Sequence, residues 1–242
     1  MEKHKIVSFI PARGGSERIP KKNIKMLAGK PMIAWTIEAC LKSRYIDRIF
    51  VSTEDKEIKE IALKYGAEVI DRPAEFSQGQ IVIDFAYSHF QYCLWEEGYQ
   101  PDYVIFLLAT SPLRTAKHID EAFELYFNSE EALLISFTES RILPNNAFLV
   151  NGAGRLEYLL KKDTRGILIK KFGSRHIKNP IMYYVDSAIC IGPPNGVNYF
   201  NLDNKMSLLD YIQPYIMEPK DSIDVDTPLD FKIAEMLLKK RR

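Results

Sequence analysis

From the N-terminus to about residue 137, short apolar runs alternate with longer stretches of helical periodicity. The runs predict strands over 5–10, 48–52, 67–70, 103–108 and 132–137. The stretches between them predict helices over 32–41, 56–65, 83–95 and 116–127. In 56–65, Ile58, Ile61, Ala62 and Tyr65 recur on one helical face. The run YVIFLL at 103–108 is apolar throughout, as a strand must be when both faces of its sheet are covered. Strands that alternate with helices return in the same direction, so the expected fold is α/β: a mostly parallel sheet with helices on both faces.

The rhythm breaks after Thr138. Residues 140–180 hold polar turns, a hairpin signal in VNGAGRL and the basic segment KKDTRGILIKKFGSRH. They also keep Phe148, Leu159, Leu160, Ile167, Leu168 and Ile169 for burial, which makes them an inserted subdomain and not a linker. The sheet resumes at 182–191. A last helix is expected over 228–239, with Pro228 at its start and Thr227 and Asp230 spaced as a capping box. One domain over residues 1–242 therefore carries an insert at 140–180.

Hydrophobic residues make up 46% of the chain and charged residues 27%, enough for one full core. The formal net charge is +1, so any anion site must be local, and a nucleic-acid partner of the basic-patch kind is excluded. Cys40, Cys93 and Cys190 form no disulfide or metal pattern, which fits a reducing compartment and buried thiols. MEKHK runs straight into a strand without a signal-peptide core, and no stretch is long enough to span a bilayer. The expectation is a cytoplasmic protein with no membrane contact.

Between the first strand and the first helix lies ARGGSERIPKKN. In an open α/β sheet, ligands bind beyond the carboxyl ends of the strands, where this loop sits. Gly14 and Gly15 allow close backbone approach, and their N–H groups can form an inward-facing anion nest. Arg13, Arg18, Lys21 and Lys22 supply positive charge. The spacing is neither G-x-x-x-x-G-K-[ST] nor G-x-G-x-x-G. Two readings stand: a polyphosphate cradle and a solvated turn.

A second signal precedes the last helix. Asp224 and Asp226 stand at i and i+2, so in an extended segment both project to one face. Mg²⁺ takes oxygen ligands, usually one or two carboxylates with phosphate and water, and the pair suits such a site. The alternative is that Asp226 only favours the start of the helix.

Six stretches in order, IPARGGSERIPKKNI, LAGKPMIAWTIEA, RIFVSTEDKEI, YGAEVIDRPAEF, TSPLRTAKHIDEA and IDVDTPLDF, give the chain a wider likeness. It resembles the CMP-sialic acid synthetases, or acylneuraminate cytidylyltransferases, over nearly its whole length, most weakly over 140–180. The resemblance implies a Rossmann-like, nucleotide-diphospho-sugar-transferase-like fold. It implies a reaction in which CTP and a nine-carbon 2-keto sugar acid give a CMP-sugar and pyrophosphate. It places Ala12, Arg13, Gly14, Gly15, Arg18, Lys22, Asn23 and Arg72 around the nucleotide, with Arg13 and Lys22 on phosphates and Asn23 on the cytosine edge. For Arg72 the residues alone leave a surface salt bridge with Glu75 open. The resemblance also implies Mg²⁺ on Asp224 and Asp226, catalytic roles for Arg13, Lys22 and Asp226, and a homodimer formed through the insert.

Departures from the family pattern cluster on the sugar side. The loop reads GSERIP where the family usually has GSKGIP, so Glu17 replaces a lysine and Arg18 a glycine. Leu108–Ala109 replaces a Gln-Pro pair whose glutamine contacts the sugar acid. RHIKNP, holding Arg175 and His176, and Asp186 in YYVDSA also depart from the pattern. The sugar-facing set is then Leu108, Ser111, Arg175, His176 and Asp186. A site that hydrogen-bonds a polar group rejects analogues lacking it, so these changes point to a legionaminic- or pseudaminic-type acid. The competing readings are a nucleotidyltransferase for another sugar or nucleotide, and a non-catalytic nucleotide-binding scaffold. His4, His89 and His118 are read as packed or solvated residues.

Overall fold

The computed structural model describes residues 4–77, 82–140, 148–150, 152, 154–158, 182–195 and 211–241. The chain divides into two compact units, Met1–Phe137 with Val185–Arg242, and Thr138–Tyr184.

The first strand, β1 (Ile6–Pro11), is buried along nearly all its length. Its side chains alternate between two cores. Ile6 and Ile10 pack with Ile33, Ile37, Val51, Ile58, Ile105 and Phe123. Val7 and Phe9 pack with Phe50, Tyr87, Phe90 and Phe106, the rings of Phe9 and Phe90 lying 4.7 Å apart. The first core is covered by helices α1 (Met32–Leu41), α2 (Lys56–Lys64) and α4 (Ala116–Phe127), the second by α3 (Val82–Glu96).

After β1 the chain makes a short hairpin, β2 (Met26–Leu27) and β3 (Lys30–Pro31), which the sequence pattern does not announce. Strand β4 (Arg48–Thr53) then pairs parallel to one edge of β1, with Phe9 opposite Phe50. Strand β5 (Glu68–Asp71) follows outward, parallel to β4, and sets Thr53 opposite Asp71. Strand β6 (Tyr103–Phe106) lies on the other edge of β1, also parallel. The order thus reverses between β1 and β6, and the crevice beyond their carboxyl ends is the topological switch point of the sheet.

Strand β7 (Leu133–Ser140) runs past its expected end, and β10 (Met182–Gly192) pairs antiparallel with β6, Cys190 opposite Phe106. The seven-stranded order is β11-β7-β10-β6-β1-β4-β5, with β11 (Ile212–Met217) on the edge. Pro214 hides β11 from a sequence reading, and an edge is where a strand tolerates a residue with no N–H. β6 ends two residues short of the expected 108, because the carbonyl of Leu108 turns to a buried arginine. In the smaller unit, β8 (Phe148–Val150) and β9 (Leu156–Tyr158) pair antiparallel around the Gly-containing turn. The closing helix, α5 (Pro228–Lys240), starts at a full capping box made by Thr227 and Asp230.

Candidate active site

The loop after β1 is pinned at both ends and open between them. The Ala12 N–H donates to the Ser52 carbonyl at 2.9 Å, and Ile19 is 2% exposed in an apolar cluster with Leu27, Met32, Leu113, Val225 and Phe231. Lys21 takes a left-handed φ of 52° and leads into a single 3₁₀ turn, Lys22–Ile24. The Asn23 amide nitrogen donates to the Arg13 carbonyl at 2.9 Å, so this buried side chain braces the loop from beneath. Arg13, Gly15 and Arg18 face solvent. The Gly14 N–H differs from the expected inward-facing nest: it donates to Glu54 Oε1 at 2.8 Å. A Cβ on Gly14 would crowd the Asp55 side chain, lying 2.9 Å from its Cβ, so glycine lets the loop approach the end of β4 closely.

The aspartate pair meets this loop. Val225 is fully buried in the same cluster as Ile19, and its N–H donates to the Thr110 carbonyl just after β6, at 2.8 Å. With the valine turned inward, its two neighbours project together on the other side. Lys22 Nζ lies 2.9 Å from Asp226 Oδ1, joining segments 204 residues apart, and Arg18 lies 4.0 Å from the other oxygen. Asp224 is half-buried. Burial raises its carboxyl above the ordinary range, with the charge of Asp226 adding to the shift and a Thr110 hydrogen bond and Lys22 opposing it. Asp224 Oδ1 is buried without a hydrogen-bond partner among the described residues. The start of α5 does not need Asp226, because Thr227 accepts from the Asp230 N–H and Asp230 accepts from the Thr227 N–H at 2.7 Å. Among the described residues no cluster of three or more His, Cys, Asp or Glu side chains could hold a metal. Two carboxylates, one with an orphaned oxygen, do fit a cation whose remaining ligands are phosphate and water.

Arg72, just past β5, is buried and pairs with Glu54 Oε2 at 2.8 Å. The surface ion pair with Glu75 is therefore not what holds it.

On the sugar side, Leu108 packs against the Phe9–Phe106 core, and its carbonyl accepts from both Arg114 terminal nitrogens at 3.3 Å. Arg114 is buried, also donates to the Ala188 carbonyl and the Thr36 hydroxyl, and has its pKa lowered to about 10 by burial. Ser111 is 1% exposed, and its hydroxyl has no partner among the described residues. Asp186 is buried, with one oxygen taking the Ser136 hydroxyl and the Ala188 N–H and the other taking the Ser222 hydroxyl. That carboxylate is thus consumed in holding a bend in β10, where Ser187 has a φ of 57°, and does not present itself to a ligand. Arg175 and His176 lie outside the described residues.

A model of the family described as cytidylyltransferase matches residues 7–163. The chain belongs to the cytidylyltransferase family. It is 31% identical to the N-acylneuraminate cytidylyltransferase of Escherichia coli O18:K1:H7, over 98% of this chain and 53% of that one. It is 30% identical to the CMP-N,N'-diacetyllegionaminic acid synthase of Legionella pneumophila, over 97% of this chain and 96% of that one. The pseudaminic acid cytidylyltransferase of Campylobacter jejuni is also 30% identical, over 97% of each chain. The chain thus spans about half the length of the Escherichia coli relative and nearly all of the other two. A CMP:2-keto-3-deoxy-manno-octonic acid synthetase solved with CTP shares the fold, with a TM-score of 0.65 at 16% identity, over 98% of this chain and 100% of that one.

Two residues of this chain escape a sequence reading. Glu54 looks like an ordinary surface acid before a helix, and Arg114 like an exposed cation in a loop. Only the parallel register of β4 with β5, and the folding of the 107–114 turn under α1, bring them to their partners.

Proposed function

We propose that this chain transfers CMP from CTP to the anomeric hydroxyl of a sialic-acid-like nonulosonic acid and releases pyrophosphate. The observation that carries the reading is the 2.9 Å meeting of Lys22 with Asp226 beside half-buried Asp224, at the switch point of the sheet. Phosphate-binding charge and cation-binding charge converge there from opposite ends of the chain. Lys22, Arg13 and Arg18 neutralise the triphosphate, Ala12 and Gly15 let it approach the backbone, and Asn23 and Arg72 flank the base. Asp224 and Asp226 would hold Mg²⁺, which when bound supplies charge neutralisation at the phosphates. Asp226, now paired with Lys22, would face the cation when it is bound, and Lys22 would then face phosphate.

The sugar is a legionaminic- or pseudaminic-type acid. Leu108 offers no side-chain hydrogen bond where the family pattern has glutamine, and Ser111, nearby in sequence, holds a hydroxyl with no partner among the described residues. The protein acts as a homodimer through the smaller unit, whose described hairpin exposes Leu149, Val150 and Leu156. Light scattering that gives a monomer at working concentration would remove that part. Among the described residues no helix is long and apolar enough to cross a membrane.

The test is pyrophosphate release with each of the four nucleoside triphosphates, Mg²⁺ and a panel of 2-keto sugar acids. Release with CTP and a legionaminic or pseudaminic acid is expected. Release with another nucleotide only, or with none, overturns the reading.

A further inference from the structure

Glu54 stands at the tip of β4, between the two halves of the nucleotide site. One carboxylate oxygen takes the Gly14 N–H at 2.8 Å, and the other takes an Arg72 terminal nitrogen at 2.8 Å. The Arg72 side chain is 1% exposed and that of Glu54 18%. Both hydrogen bonds are thus largely shielded from water, which strengthens them and penalises the loss of either partner. The carboxylate is held on a rigid base. The Arg72 N–H donates to the Thr53 carbonyl at 3.0 Å, extending the β4–β5 ladder by one step. Asp55, the next residue, caps α2 by accepting the Ile58 N–H at 3.0 Å. Gly14 is pressed against that same Asp55. Arg72 Nε is buried without a partner among the described residues, so this guanidinium has a donor that none of them uses.

We propose that Glu54 is a positioning residue that locks Arg72 and the Gly14 backbone into one unit, so that the base side and the phosphate side of the site are set together. It does not touch the reacting atoms. It fixes the guanidinium that flanks the base and ties down the amide at the turn of the phosphate loop, and a nucleoside triphosphate must match both at once. The proposal rests on the reading above that Arg72 and the loop hold CTP. Its consequence is particular: losing Glu54 impairs nucleotide affinity and base choice, while the chemical step, organised by Lys22, Asp224 and Asp226, runs at nearly its former rate.

The experiment uses the full chain, with CTP binding by wild type measured first, so that failure of the nucleotide reading is seen separately. Glu54→Gln keeps the size and one acceptor, and Glu54→Ala removes both. Arg72→Ala and the Glu54→Ala/Arg72→Ala double variant complete a cycle, and circular dichroism selects folded proteins. Losing both charge-assisted bonds is expected to raise the CTP KM of Glu54→Ala by about 10–100-fold with kcat within about threefold. Glu54→Gln falls between, and the preference for CTP over UTP drops in both. The double variant binds CTP scarcely worse than Glu54→Ala alone, because Arg72 cannot act without its anchor. A folded Glu54→Gln or Glu54→Ala with unchanged KM and unchanged CTP:UTP preference overturns the proposal. So does full additivity in the cycle, or a fall in kcat with KM untouched.

Discussion

Asp226→Asn separates binding from turnover, and each effect can be sized from the geometry. The substitution keeps the shape and one oxygen but removes the charge. The side chain is 53% exposed, so its ion pair with Lys22 stabilises the fold by only about 0.2–1 kcal/mol. For a chain of this length that shifts the thermal midpoint by at most about 4 °C. Thr227 and Asp230 still cap α5. Freeing Lys22, whose Nζ lies 2.9 Å from Asp226, removes a competitor for phosphate. CTP affinity without divalent cation should therefore hold, or tighten up to about fivefold, the equivalent of the lost pair. Turnover behaves differently. Loss of one preorganised charge at a transferring phosphoryl group costs about 10²–10³-fold, or roughly 3–4 kcal/mol. Calorimetry with CTP in EDTA and in Mg²⁺, run beside pyrophosphate release, reads both effects. A folded variant with turnover within about threefold of wild type would refute the placing of Asp226 at the reaction centre.

Lys22→Ala removes a charge-assisted contact to phosphate and is expected to weaken CTP binding by about 10–100-fold; unchanged affinity by calorimetry would return the loop to a solvated turn. Leu108→Gln restores an amide at the sugar side and should raise activity on N-acetylneuraminate relative to the native acid; a wild type that already prefers N-acetylneuraminate sinks the argument from the departures. His118 is held neutral: burial lowers its pKa from 6.5, Asp221 and Glu121 pull it upward, Arg241 and Arg114 oppose them, and its Nδ1 accepts the Thr115 N–H at 3.2 Å. With the folded pKa below the unfolded one, this stability is present above 6.5 and lost as pH falls through the folded value, so urea midpoints should drop with acid in wild type and drop less in His118→Gln.

What could be read in advance follows from how far apart in the chain the partners stand. The helices α1 and α4 and the capping box of α5 were legible because their signals are local: a period, a proline at a first turn, a threonine three residues before an aspartate. The spacing of Asp224 and Asp226 is local in the same way, with one buried valine between them. β11 escapes a sequence reading because Pro214 contradicts a central strand, and nothing local says that a strand lies on an edge. Asp186 reads as a ligand for a related reason. A carboxylate in an otherwise apolar strand reads as functional until Ser136 and Ser222, each far from it in sequence, are seen to satisfy it.

Glu54 and Arg72 mark the same boundary more sharply. They stand 18 residues apart, with a helix between them, and neither has a neighbour in sequence that explains it. Once β4 and β5 pair in parallel with Thr53 opposite Asp71, the next residue of each strand must also fall side by side beyond the sheet's carboxyl edge. The register that builds the sheet thereby builds the pair. It also delivers the pair beside Gly14, because β1 is the other neighbour of β4 and Ser52 already holds the Ala12 N–H. A one-residue slip between β4 and β5 would turn Arg72 to the opposite face and leave the Glu54 carboxylate without its guanidinium, a buried charge costing several kcal/mol. Correct pairing of these strands and a correctly formed Glu54–Arg72–Gly14 unit are in this protein a single event.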